Sequence, residues 1–424
     1  MKKFIALLFC CVLLWGCNAA AAVNESEEFD RNMALEVSKI PYIAQNSVEN
    51  PTEREMRGIW ISQFDMHPIF RNGSIQRDKN EYIALIEKMM NNLSRDGFNT
   101  IFLQLRPNGD SMYESDIYPA SKYIAGEYGG EIEYDAIEIF LSIARKRNFS
   151  VHGWINPFRL CGMDELENYG KGLIFNWYKE GLGKRIEIGD KGILYLDPAY
   201  EEATDIIVSG VEEILTKYDF DGIHLDDYFY PTEFDFIDEA EFLKSGFDSK
   251  GDFRRENINR TVKAIYDTCH AKGKIFGVSP AGNIYSLSDG WYVDIYKWCS
   301  TEGYVDYILP QLYYGFENKY CPFDKVLKDW SEAVTSDSVS LYIGLSAAKC
   351  ELGSKGLEDK HAGEGKFEWR DNKDILKRSL LEIRDCNNSS GFCVFTYSSF
   401  YDPITGNDNP YTFEEKTAFC ECLH

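Results

Sequence analysis

The sequence predicts an α/β fold: a (β/α)8 TIM barrel with elongated loops at the carboxyl ends of its strands. From Glu55 onward, eight short apolar runs alternate with amphipathic stretches, which is the pattern of repeated β–α units. The apolar runs are continuous, as parallel strands that are covered on both faces require. The chain of 424 residues is long enough to form such a barrel with insertions.

Each predicted strand is a short apolar run that a proline, a glycine or a polar cluster ends. The second run stops at Pro107 and the third at Pro157, because proline cannot continue the hydrogen bonds of a central strand. In chain order, the predicted strands are 56–62, 100–105, 150–155, 222–226, 274–279, 305–312, 340–346 and 391–397.

Each predicted helix has apolar residues spaced three and four positions apart, as Ile83, Ile86 and Met90 are in the first. The predicted helices are 79–94, 134–147, 201–217, 253–272, 291–299, 323–334, 372–386 and 413–423. The longest connections follow the second, third, fourth and seventh strands, which predicts the elongated loops. A doubly wound open sheet is the alternative, but no Gly-x-Gly-x-x-Gly turn follows the first strand.

The first 53 residues have the composition of an export signal and a tether. Lys2 and Lys3 precede the apolar run 4–15, which is short for a bilayer-spanning helix. The run ends in Leu-Trp-Gly-Cys17, a sequence similar to a bacterial lipobox. We therefore expect a signal peptide over 1–17, a lipid on Cys17, a flexible tether over 18–53 and a folded domain over 54–424. The alternative is ordinary cleavage after the alanines at 19–22. The expected location is the bacterial cell envelope, as a membrane-anchored lipoprotein.

Charge and cysteine content narrow the possible partners. The net charge of −24 argues against nucleic acid or an anionic membrane surface, so we expect membrane contact through the lipid anchor only. Of 12 cysteines, nine follow Cys17 at no framework spacing, and we expect mostly free, buried thiols. Neither cysteines nor histidines have metal-ligand spacing, so no metal or other cofactor is expected. A metal hydrolase would need an ion at His224 and the adjacent aspartates.

The segment 218–231, Tyr-Asp-Phe-Asp-Gly-Ile-His-Leu-Asp-Asp-Tyr-Phe-Tyr-Pro, is the most informative in the chain. It places Asp226 and Asp227 at the carboxyl end of the fourth strand, where barrel enzymes have their catalytic residues. Asp226 shares strand parity with His224 and should face the barrel axis. We predict that Asp226 and Asp227 are catalytic. Alternatively, Asp226 could bond a neighbouring strand end and Asp227 could form an ion pair within the loop.

Polar and aromatic residues at the other strand ends should meet in the same opening. Carboxylates and amides bond hydroxyl groups, and aromatic rings stack on the apolar face of a sugar, so the set suits a polyhydroxylated ring. A mid-strand histidine such as His224 is alternatively a hydrogen-bonding core residue. The candidate substrate-binding residues are Asp65, Gln104, Arg106, Asp110, Trp154, Asn156, Arg159, His224, Asn283, Gln311 and Tyr313.

Glycoside hydrolysis requires a carboxylic acid and a second carboxylate. The fifth and seventh strands end without an acidic residue, which leaves Asp65, Asp110 and Glu114 as partners for Asp226. If none is within reach, an N-acetyl group of the substrate could take the second role. A non-catalytic glycan-binding lipoprotein on the same scaffold is the alternative function.

Seven sequence blocks resemble the glycosyl hydrolase-like family 10 proteins over about residues 54–400. The blocks are RGIW (57–60), FNTIFLQLRP (98–107), HGWINPFR (152–159), LDP (196–198), DGIHLDDY (221–228), GVSPAG (277–282) and DYILPQ (306–311).

The resemblance implies a TIM barrel, glycosidase activity and roles for the pair 226–227 and for Gln104, Asn156 and Gln311. The chain is also similar to bacterial enzymes that cut peptidoglycan strands lacking stem peptides, which implies a cell-wall, N-acetylated glycan as substrate. The fourth strand departs from the chitinase pattern, because His224 replaces an acid and Tyr228 replaces the glutamate proton donor.

Overall fold

A computed structural model describes residues 55–189, 192–226, 229–230 and 237–424. Eight parallel strands close into a barrel in which each strand pairs with its neighbours in the chain. The predicted TIM barrel is confirmed. The barrel strands, labelled β1 to β8, are Met56–Ile61, Thr100–Arg106, Ser150–Ile155, Gly222–Leu225, Ile275–Val278, Tyr307–Ile308, Ser340–Ser346 and Ser389–Phe395.

Helices form the outer layer and the connections. The longer ones bury one apolar stripe against the strands, as the sequence pattern predicts. The helices of the described residues are Gln63–Phe70, Lys79–Arg95, Lys122–Ala125, Ala136–Arg145, Met163–Leu166, Leu173–Glu180, Glu201–Lys217, Glu239–Ser245, Lys250–Ala271, Leu287–Gly290, Ile295–Ser300, Phe323–Ala333, Ala347–Ser354, Glu368–Asp371, Ile375–Asp385, Tyr397–Phe400 and Phe413–Cys420. Within the described parts of the chain, no helix has the length and apolar character that crossing a bilayer would require.

Large side chains fill the barrel interior. Trp60, Phe102, Trp154 and Tyr307 pack together as one buried cluster, separate from the aliphatic core between strands and helices. Gly277 on β5 makes room for this packing, since a Cβ there would lie 2.1 Å from the Tyr307 ring. The interior is therefore a packed core, and only the carboxyl ends of the strands, here called the mouth, remain available for a site.

Two elements differ from the prediction. β6 is short because Pro310 lacks an N–H and interrupts the ladder, which continues only as isolated bridges at Gln311. The sequence also does not predict the helix Gln63–Phe70, which follows β1 directly and contains Pro68. Ser62 and Asp65 form a capping box at its start.

The loop after β3 carries a small antiparallel sheet of its own. Its strands are Arg159–Gly162, Ile186–Ile188 and Ile193–Leu196. A two-stranded ribbon, Arg71–Asn72 with Ile75–Gln76, lies in the loop after β1. The elongated loops predicted after β3 thus contain regular structure.

Candidate active site

Asp226 follows the last residue of β4 and lies at the mouth with only 4% of its surface exposed. Asn156, which follows β3 directly, donates its Nδ2 hydrogen to Asp226 Oδ2. The two strands are paired in register, with Ile155 beside Leu225, so the backbone sets the two side chains next to each other. The prediction that Asp226 faces the barrel axis is consistent with this contact.

Two further hydrogen bonds determine how Asn156 is oriented. Gln104 Oε1 accepts from the backbone N–H of Gln63 at 2.8 Å, so the other end of the Gln104 amide must be its NH2 group. That group donates to Asn156 Oδ1 at 2.8 Å, which leaves the Asn156 NH2 group for Asp226. The relay Gln63–Gln104–Asn156 therefore presents an N–H, and not a repelling oxygen, to the carboxylate.

Asp227, the second predicted catalytic residue, lies outside the described residues. The three other carboxylates considered as partners for Asp226 are placed differently from the expectation. Glu114 is exposed, and its carbonyl accepts from Lys217 at the last residue of the helix that leads into β4. It therefore lies near the amino end of β4, opposite the mouth.

Asp65 is fully buried and connects the residues that follow β1 to those that follow β8, the first and last strands of the barrel. Its carboxylate accepts from the backbone N–H and hydroxyl of Ser62 at 2.6 Å each. It also accepts from the Thr396 hydroxyl at 3.2 Å and from the Ser398 N–H at 2.8 Å. Four donors saturate the two oxygens, so the geometry gives Asp65 a structural role in place of the expected contact with substrate.

Asp110 is a buried carboxyl in the loop after β2. Burial raises its pKa to about 6, although hydrogen bonds from Ser121 and from the Asn108 N–H act in the opposite direction. Its Oδ2 atom has no hydrogen-bond partner. The surrounding charges and phenols come from Lys122 and Tyr128 of the same loop and from Tyr169 of the loop after β3. The contact of Asp110 with substrate stays a prediction.

Arg106 corrects a second expectation, because it does not point into the mouth. Gln104 pairs with Trp154 but Arg106 pairs with Ile155, so a bulge between Gln104 and Arg106 reverses the side on which Arg106 projects. The guanidinium lies 4.6 Å from the centre of the Tyr118 ring, among the outer helices. Strand parity without the bulge predicts the wrong face.

We expect that Gly210→Ala will destabilise the fold by about 1–3 kcal/mol, the usual cost of overpacking. A Cβ at position 210 would lie 1.9 Å from Arg106 Nη1 and 2.6 Å from a carbon of the Tyr118 ring, and both of these side chains are buried. Chemical denaturation measures the change. Gly251→Ala is the matched control in another helix, because its Cβ would meet no atom closer than the end of the Arg255 side chain, at 3.4 Å. Equal stability of both variants would contradict this account of Arg106.

His224 belongs to the barrel core. Trp60 Nε1 donates to His224 Nε2 at 3.1 Å, so the ring is neutral and Nδ1 carries its hydrogen toward the Tyr307 hydroxyl at 3.1 Å. Tyr307 in turn bonds His152 Nδ1 at 3.0 Å. Burial, followed by the nearby His152, holds the pKa of His224 well below its usual value. With both nitrogens occupied and no exposed surface, His224 has a structural role in place of the expected substrate contact.

The other predicted binding residues line the mouth in several ways. Trp154 is buried and its indole N–H has no partner, which leaves one donor available. Gln311 donates to the Ser279 carbonyl at 3.1 Å, and the Tyr313 ring meets Trp60 edge-on at 6.5 Å. Asn283 caps a short 3-10 helix through its Oδ1. Arg159 is half-buried at the start of the small antiparallel sheet.

No cluster of three or more metal-ligating side chains occurs among the residues that the structure describes. All nine cysteines of this part of the chain are unpaired, and all but Cys386 and Cys422 are buried.

Residues 55–360 match the family described as Glycosyl hydrolase-like 10. The chain belongs to this family. It is 31% identical over 340 residues to "Glycosyl hydrolase YngK" of Bacillus subtilis (strain 168), a match that spans 74% of this chain and 64% of that protein. It is 32% identical over 351 residues to "Glycosyl hydrolase DigH" of Escherichia coli (strain K12), spanning 75% of this chain and 78% of that protein.

Two solved structures share the fold of this glycosyl hydrolase-like protein. The glycoside hydrolase domain of PgaB (BpsB) from Bordetella bronchiseptica aligns with a TM-score of 0.54 at 12% identity, covering 87% of this chain and 99% of that one. The catalytic domain of β-amylase from Paenibacillus polymyxa aligns with a TM-score of 0.53 at 10% identity, covering 89% and 100%. At such identities the likeness shows the fold alone. Family membership confirms the resemblance read from the sequence and the expectation of a glycoside hydrolase.

Sequence reasoning missed two features of this glycosyl hydrolase-like protein, one in the barrel core and one at the mouth. Tyr307, which joins the two buried histidines, lies in the predicted sixth strand, but no local pattern indicates its partners. Tyr123 comes from the loop after β2, and its hydroxyl accepts from Gln63 Nε2 at 3.3 Å. The loop has no periodicity, so only the tertiary structure brings Tyr123 to the mouth.

Proposed function

We propose that this protein is an exported, lipid-anchored glycoside hydrolase that cleaves the glycan of the cell wall, a peptidoglycan-like polymer of N-acetylated sugars. The observation that carries the proposal is the buried carboxylate of Asp226, held at a strand end by the relay from Gln63 through Gln104 and Asn156. Family membership and the names of the relatives support glycosidic bonds as the target.

In this proposal Asp226 acts as general acid or nucleophile, and Asn156 fixes its orientation. The second role falls to Asp227, to Asp110 or to the N-acetyl group of the substrate, because Asp65 is saturated with donors and Glu114 lies at the opposite end of β4. Trp154, with its unpaired indole N–H, and Gln311 and Tyr313 are proposed to contact the sugar.

The test is digestion of purified glycan strands, with and without stem peptides, followed by chromatography of the soluble products. Release of reducing sugar fragments is the expected result, and a preference for strands without peptides would identify the bare strand as substrate. Strands that are bound but never cleaved would instead support the alternative, a non-catalytic glycan-binding lipoprotein. The placement of Asp65 and Glu114 away from a catalytic pairing is the observation that favours that alternative.

The proposed lipid anchor on Cys17 has a separate test. Cys17 lies outside the described residues, and its assignment rests on the lipobox-like sequence. Metabolic labelling with a radioactive fatty acid should mark the wild type and leave Cys17→Ser unlabelled. Equal labelling of both would remove the anchor from the proposal.

A further inference from the structure

An aromatic pair, the exposed Phe64 and the half-buried Tyr123, lies at the rim of the mouth, beside β1 and β2. Phe64 is in the first turn of the helix that follows β1, and its side chain is 52% exposed, although its neighbours Gln63, Asp65 and Met66 are buried. Its ring meets the Tyr123 ring edge-on, with centroids 5.7 Å apart and planes at 85°. We call Phe64 and Tyr123 the rim pair.

Contacts with Gln63, His67 and Lys122 hold Tyr123 of the rim pair in place. Tyr123 accepts from Gln63 Nε2 through its hydroxyl, and its carbonyl lies 2.9 Å from His67 Nδ1. The ammonium group of Lys122 lies 5.6 Å from the centre of the Tyr123 ring. A rigid aromatic surface that is already ordered loses little entropy when it binds a ligand.

The same contacts connect the rim pair to the candidate catalytic residue. Gln63 bonds Tyr123 through its side chain and Gln104 through its backbone, and Gln104 leads through Asn156 to Asp226. β1, β2, β3 and β4 are consecutive neighbours in the barrel. The path from Asp226 to the rim pair therefore crosses the ends of β3 and β2.

A polar atom along this path lacks a partner. Gln63 Oε1 is buried without a donor, although Nε2 of the same amide bonds Tyr123. Buried polar atoms are usually bonded, and an acceptor next to an aromatic surface suits a sugar hydroxyl. An aromatic ring and a neighbouring amide oxygen together match the apolar face and the hydroxyl edge of one pyranose ring.

We propose that the rim pair and Gln63 form a sugar-binding subsite remote from the cleaved bond, so that the glycan strand lies across the mouth from β4 to β1. This inference rests on the proposed function and adds to it a direction for the substrate and a preference for long strands. Binding energy from a remote sugar raises the rate on strands long enough to reach it. Short oligosaccharides that end before the rim pair gain nothing from it.

The experiment compares wild type, Phe64→Ala and Phe64→Trp on long peptide-free glycan strands and on the shortest oligosaccharide that wild type cleaves. For Phe64→Ala we expect kcat/KM to fall roughly three- to tenfold on strands, the effect of one lost aromatic contact, and to stay unchanged on the short substrate. Phe64→Trp should retain the wild-type rate on strands. Tyr296→Ala is the matched control, because that ring is also 52% exposed but lies on an outer helix.

Two outcomes on cleavage would overturn the subsite: wild-type rates of Phe64→Ala on strands, or an equal loss on both substrates. If wild type cleaves no glycan, the proposed hydrolase activity fails, and cosedimentation with insoluble strands then decides the subsite separately. Weaker sedimentation of Phe64→Ala than of Tyr296→Ala would support it, and equal sedimentation would refute it. Thermal unfolding of each variant confirms that the fold is intact.

Discussion

Asp226→Asn is expected to lower kcat on glycan strands by roughly 10²–10⁴-fold, the range for loss of a positioned acid or base. The substitution keeps the shape of the side chain but removes the group that can carry a negative charge or transfer a proton. Because an amide can still accept from Asn156 through its oxygen, the hydrogen bond to Asn156 and the fold should survive. Initial-rate kinetics and a thermal melt on the same preparation measure both effects.

Asp221→Asn is the matched control for this variant. Asp221 precedes the same strand, β4, at its opposite end, where its carboxylate accepts from the Val151 N–H at 2.7 Å. A carboxylate at the amino end of a barrel strand acts on stability and not on chemistry, so Asp221→Asn should retain the wild-type kcat. Near-normal turnover by Asp226→Asn would place the chemistry elsewhere in the mouth.

Asp238→Asn is expected to destabilise the protein by about 3–5 kcal/mol, because it breaks a buried ion pair with the Arg254 guanidinium. Arg254 and Asp238 are both fully buried and form two hydrogen bonds of 2.7 Å each. Tyr230 also donates to Asp238 at 2.5 Å. Equilibrium denaturation measures the change. Asp267→Asn, which breaks the exposed pair with Lys263 on the same helix as Arg254, should have little effect.

The same ion pair predicts how stability depends on pH. Burial alone would raise the pKa of Asp238, but hydrogen bonds from Arg254 and Tyr230 outweigh burial and hold the pKa below its usual value of 3.8. A carboxyl whose pKa is lower in the folded state contributes stability above its unfolded pKa and loses it as the pH falls further. Wild type should therefore lose stability below about pH 4 more steeply than Asp238→Asn. Parallel acid-denaturation curves for the two would contradict this role of the pair.

The Arg254–Asp238 pair was not predictable from the sequence. Arg254 lies in a predicted helix, but Asp238 precedes a short helix that the sequence did not predict. The two are 16 positions apart and come from different elements, so no helical spacing relates them. By contrast, Asp226, Asn156 and Gln104 were predicted to share the mouth, and they form a single relay. The carboxyl ends of all strands in a parallel barrel lie at the same face, so the sequence predicts which side chains lie near one another there.

The sequence by itself determined the barrel and the position of Asp226 at its mouth. Eight apolar runs of strand length that alternate with amphipathic helices can close into a (β/α)8 barrel. The residue after each strand then lies at the same end of the barrel. Only the tertiary structure decided which rim residues face inward. One extra residue in a bulge places Arg106 in the outer layer. Four donors from the ends of β1 and β8 occupy the Asp65 carboxylate and give it a structural role. Both depend on register and on contacts between distant segments, and local periodicity contains neither.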